Sequence, residues 1–111
     1  MATLTLDIPA VLIGDTETTI IAAVAVNKEY NISMIRFTNT DTIDHQLTVW
    51  NYDSGSEAND NTTAELFDMT LQPKQSFEFG PILIPADRTI TAQADESGFI
   101  NARVHGWVVD V

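Results

Sequence analysis

The sequence predicts an all-β fold, an antiparallel β-sandwich of jelly-roll type in a single domain, and three observations carry that prediction. From Ser33 onward, polar and apolar residues alternate at period 2 through most of the chain, the pattern of half-buried strands. Turn formers recur roughly every eight to twelve residues, the spacing of a sandwich. No segment sets an apolar helical stripe against a polar helical face. A chain of 111 residues has the size of one domain. Its division is an N-terminal strand or arm over residues 1–15 and a sandwich over residues 16–111.

Leu4 and Leu6 alternate with threonines, which suits a short strand or an extended arm, and Pro9 limits it to a sheet edge or a break because proline cannot donate to a ladder. Gly14-Asp15 is a turn. Thr18 to Val26, TTIIAAVAV, is apolar on both faces and β-branched, so it reads as a strand buried on both sides. Its Ile21, Ala23 and Ala25 face is the one assigned away from the core. Asn27 to Asn31 is a polar connection, and Ser33 to Thr38 is a strand with Ile35 and Phe37 on one side. After the turn Asn39-Thr40-Asp41-Thr42, Gln46 to Tyr52 returns with Leu47 and Val49 inward and Thr48, Trp50 and Tyr52 opposite. Asp53 to Thr63, DSGSEANDNTT, is a surface loop, followed by a strand from Ala64 to Leu71.

The last third reads as three strands. Phe77 and Phe79 alternate with Ser76 and Glu78 and lead into GPILI. Pro85-Ala86-Asp87-Arg88 turns the chain, and Thr89 to Ala94 alternates as a half-buried strand. Asp95-Glu96-Ser97-Gly98 turns it again. The final strand then sets Ile100, Ala102, Val104, Gly106 and Val108 against Phe99, Asn101, Arg103, His105, Trp107 and Val109. That second face is too aromatic for plain solvent surface, so a partner is expected over part of it. Phe37, Val49, Phe77, Ile90 and Val104 are the expected core.

Sixteen acidic residues against five basic ones give a formal net charge of −11. Such a surface repels nucleic acid and anionic membranes, which need clustered Lys or Arg. The longest apolar run is far too short for a membrane span, and the N-terminus lacks the basic region of a secretory signal. With no cysteine there is no disulfide framework and no thiolate metal site.

Chemistry is sparsely signalled. His45 stands beside a turn and His105 on the last strand, neither in a catalytic motif. The carboxylates fall in turns, where Asp stabilises the backbone. Asp53, Glu57 and Asp60, with Asn59 and Asn61, offer hard oxygen donors in one loop, but their spacing matches no EF-hand. No metal and no cofactor is expected, phosphate-cradling motifs are absent, and no enzymatic activity is expected. Trp50, Tyr52, Phe99 and Trp107 suit either a sugar-stacking platform or interface anchors, and interface anchors are preferred.

The order of pieces PILIPADRTITAQADESG and INARVHGWVV, preceded by IRFTNTDTIDHQLTVWNYD, resembles small structural proteins of tailed-phage virions. The resemblance covers about two-thirds of the chain, from roughly Ile35, and departs at Ala86-Asp87-Arg88, where a Gly-Asp pair is common. It implies a capsid decoration, or cement, protein on the outside of the head, bound to the major capsid protein as a homo-oligomer, first as a trimer, and made in the host cytoplasm. A head-fibre, tail or adaptor component is the alternative, and a carbohydrate-binding module the second. The expected interface residues are Leu4, Leu6, Ile21, Trp50, Tyr52, Phe99 and Trp107.

Overall fold

A computed structural model describes residues 3–111. Among them the chain forms ten strands and no helix: β1 (Thr3–Thr5), β2 (Val11–Ile13), β3 (Thr18–Ile21), β4 (Lys28–Asn39), β5 (His45–Asp53), β6 (Ala64–Leu71), β7 (Ser76–Phe79), β8 (Ile82–Ile84), β9 (Arg88–Ala94) and β10 (Ile100–Asp110). They make two antiparallel sheets. In the first, the long strands β10 and β4 pair centrally, with β1 and β2 in line along the β10 edge and β7 and β8 in line along the β4 edge. The second runs β3-β9-β5-β6. Their facing sides close over Ile13, Ile35, Phe37, Leu47, Val49, Leu71, Ile90 and Ile100, all fully buried.

The N-terminal segment is part of this domain, because Thr3–Thr5 lies against Trp107–Val109 and Val11–Ile13 against Ile100–Ala102. Pro9 sits between the two pieces, and Pro81, after a cis Gly80-Pro81 bond, separates β7 from β8 on the opposite edge. Proline cannot complete a ladder, so both edges of the first sheet are broken at a proline.

The two central strands break register at the same level. β10 and β4 shift between His105 and Gly106, leaving Ser33 as the extra residue of a β-bulge whose Oγ donates to His105 O at 2.9 Å. Gly106 is required there by space: a Cβ would stand 2.3 Å from Asn31 O and 2.9 Å from Ile32 Cα. Gly80, at φ +127, faces Ser33 O and Met34 Cα on the other side. Pro9, Gly106, Ser33 and Gly80-Pro81 thus mark one line across the sheet. Beyond it β10 and β4 continue as an extension with β1 and β8, and the molecule measures 45 × 27 × 18 Å.

Several sequence readings change. The TTIIAAVAV segment is a strand only to Ile21, because a register shift between Thr19 and Ile21 turns both Ile20 and Ile21 inward. Ala22, Ala23 and Ala25 are exposed off the ladder, while Val24 is buried and exchanges backbone bonds with Arg88 O and Asp87 N. The polar connection Asn27 to Asn31 belongs largely to β4, whose pairing with β10 supplies the backbone partners that polarity alone does not reveal. β9 is buried nearly throughout, Thr89 and Thr91 included, as an inner strand flanked by β3 and β5. Phe77 is only half-buried, at the sheet edge. Val109 is buried and Val108 half-buried, the reverse of the burial expected, although unbroken register keeps Val109 on the face of Trp107 as assigned. In the Pro85–Arg88 turn, Asp87 itself takes the left-handed conformation, φ 68, in place of a glycine.

Candidate functional site

The outer face of the first sheet changes character at the bend. On the sandwich side it is polar. Arg36 Nη2 donates to Glu78 Oε1 at 3.1 Å, Thr38 and Ser76 hydroxyls meet at 2.8 Å, and Asn101, Arg103 and His105 follow along β10. Beyond the bend, register places Thr5, Trp107, Asn31 and Leu83 in one row across four strands, so these side chains share a face. That row holds no charge. Trp107 is 43% exposed and Leu83 52%, and with Pro81, Ile82 and Ser33 they line a shallow, mainly apolar hollow of about 460 Å³. Here the bulge and the broken edge open the hollow beside a large indole.

The expected interface residues separate accordingly. Trp107 is exposed in this hollow. Leu4 is exposed on β1, paired with Val108, and Leu6 is half-buried against the core with its N–H on Gly106 O. Ile21 and Trp50 are interior residues and do not present themselves to a partner. Ile21 is turned in by the register shift, and Trp50 is held under the Asp53–Thr63 loop, its Nε1 donating to Asp60 Oδ1 at 3.1 Å. Tyr52 is half-buried beside it and donates to Glu17, and burial, followed by that bond, raises its pKa. Phe99 lies at the opposite end of the molecule, stacked on His45 with ring centroids 5.0 Å apart. The four rings therefore lie on no common surface and do not form one flat sugar platform. Beside Trp50 a smaller hollow of about 230 Å³ is lined by Thr48, Asp60, Phe67, Asp68, Gln93 and Asp95.

The second cluster of chemistry was not legible as a motif. Where the β4–β5 and β9–β10 turns meet, His45 is fully buried. Its Nδ1 lies 2.9 Å from Asp95 Oδ1 and its Nε2 2.8 Å from Asp41 Oδ2. The Asp41 bond, outweighing burial, raises the His45 pKa above its ordinary 6.5, and the same bond chiefly lowers that of Asp41. Buried Asn39 holds the turn from below, donating to Ile43 O, Leu71 O and Gln72 O and accepting from Asp41 N–H. A turn-forming Asn-Thr-Asp-Thr run was the only sequence signal for this. In the polar loop, Asp53 accepts from Arg88 and Asp60 from Trp50, so those carboxylates fasten the loop to the second sheet.

Compared with protein families, curated proteins and solved structures, the chain matches none.

Proposed function

We propose that this chain is a non-enzymatic structural protein of a tailed-phage virion, a capsid decoration protein that seats the outer face of its sheet extension on the major capsid shell. The sequence resemblance supplies the class of particle. The observation that carries the docking face is the uncharged row Thr5, Trp107, Asn31 and Leu83 beside its apolar hollow. Interface cores are depleted of charge and enriched in aromatic anchors, which fits Trp107. The mechanism is clamping: an elongated domain covers the seam between capsid subunits and buries apolar surface that would otherwise separate under internal pressure. Association as a homo-oligomer, a trimer first, multiplies that contact at a local three-fold position. The net charge of −11 opposes approach at long range, but screening over about 8 Å at physiological salt leaves short-range burial to decide. Assembly of the homo-oligomer from these like-charged copies therefore strengthens as salt is raised.

The test is the amount of this chain in purified particles, together with the binding of Trp107→Ala. A decoration protein is present at high copy, and the variant keeps its stability to within about 0.5 kcal/mol, as for other surface changes, while losing most particle binding. A few copies per particle would move the assignment to a fibre or adaptor. Absence from particles, or undiminished binding by the variant, would overturn it.

A further inference from the structure

We propose that Asp41, His45 and Glu96 form a binding site for one first-row divalent cation of the Zn²⁺ type, which staples the β4–β5 turn to the β9–β10 turn. The inference is independent of the virion reading. One ligand atom from each of the three residues lies within 4.8 Å of the others. Ligands on a tetrahedral Zn²⁺ at about 2.0–2.1 Å stand about 3.3 Å apart. His45 Nε2 and Asp41 Oδ2, at 2.8 Å, need to part by only about half an ångström on that geometry. Glu96 has to close by more, and it is exposed in a turn and makes no hydrogen bond among the described residues, so it is free to swing.

The surroundings are those of a built site. Asp95 Oδ1 accepts from His45 Nδ1, which fixes the tautomer with the Nε2 lone pair directed at the cation, and the same oxygen is held by Gln46 N–H at 3.1 Å. Metal-bound histidines are oriented by such a carboxylate partner. Phe99 stacked on the ring and its complete burial leave the imidazole little room to rotate. Asp41 Oδ1 is occupied by Thr42 N–H at 2.7 Å, which leaves Oδ2 for the cation, and Asn39 pins the turn that carries it. On binding, the cation takes the position of the proton between Nε2 and Asp41 Oδ2; the metal–nitrogen bond forms and that proton passes to solvent. One imidazole and two carboxylates favour Zn²⁺, Co²⁺ or Ni²⁺ over Ca²⁺ or Mg²⁺, which take all-oxygen shells. Water completes the coordination on the exposed side.

The experiment is a calorimetric titration of the chelator-stripped full chain with Zn²⁺, with Ca²⁺ as the control and Co²⁺ absorption as the spectroscopic readout. One Zn²⁺ per chain, a visible Co²⁺ band and a higher Tm with metal are expected. Glu96→Gln leaves the far-UV spectrum and the metal-free Tm unchanged but lowers Zn²⁺ affinity at least about tenfold, and Asp95→Asn weakens it by about 10–100-fold. Absence of saturable binding would overturn the proposal and leave a closed proton-bound cluster. Equal affinity in wild type and Glu96→Gln, or equal Ca²⁺ and Zn²⁺ binding, would place the cation on diffuse surface acids and overturn it as well.

Discussion

The sandwich body and the extension share the same two central strands, yet their outer faces differ. In the body, β4 and β10 present Arg36, Thr38, Asn101 and Arg103 to solvent, with Arg36 neutralised by Glu78 rather than left against Arg103, its direct cross-strand neighbour. Beyond the Gly106 and Ser33 bulge the same strands present Trp107 and Asn31, flanked by Leu83 and Thr5. A sheet whose inner face packs on a second sheet needs its outer face only for solubility. The uncharged row of that outer face begins where the register breaks, so the bend divides a self-sufficient unit from a face that exposes Trp107 and Leu83.

The comparison breaks most strongly at Phe37. It is fully buried between the sheets, and Phe37→Ala should lower stability by about 3–5 kcal/mol, seen as a large fall in the urea midpoint. A value near that of a surface substitution would mean that the body is not held by this core. Gly106→Ala tests the junction. Its Cβ meets Asn31 O and Ile32 Cα, and relieving that overlap should cost about 1–3 kcal/mol. Hydrogen exchange should quicken in Lys28–Ile32 and Gly106–Asp110 more than in Ile35–Asn39; equal acceleration in both would deny the two regions separate character.

The smallest effect lies at the far end of the body. In chelator-treated protein, the folded His45 pKa stands above its unfolded value, so the cluster's contribution is complete below about 6.5 and is lost as pH rises through the raised pKa. Asp41, lowered in the folded state, contributes above its ordinary 3.8 and loses that contribution as pH falls through its folded pKa. Stability from this pair is therefore greatest in mildly acidic solution and declines toward alkaline pH. His45→Gln should flatten the alkaline decline in a Tm series, while Trp107→Ala should leave it intact; a decline unchanged in His45→Gln would remove His45 as its cause.

Strand character, the antiparallel sandwich and most of the core were legible in the residues, because each strand declares its buried side locally through alternation. Phe37, Val49, Ile90 and Val104 were all found this way and are buried. The turns at Pro85–Arg88 and Asp95–Gly98 were legible for the same reason, since proline, aspartate and glycine act on their own backbone. Where alternation fails, strand pairing and packing set the outcome. The register shift at Thr19 and Ile21 and the fold of a polar loop over Trp50 moved two expected interface residues into the interior. Asp41 and His45 come from one turn and Asp95 and Glu96 from another, half the chain away. Neither turn contains a motif, and the cluster exists only because β5 and β9 pair and carry both turns to the same end of the sandwich. Local pattern fixes which residues face inward, whereas a site assembled from distant turns depends on strand order and register, which no single strand encodes.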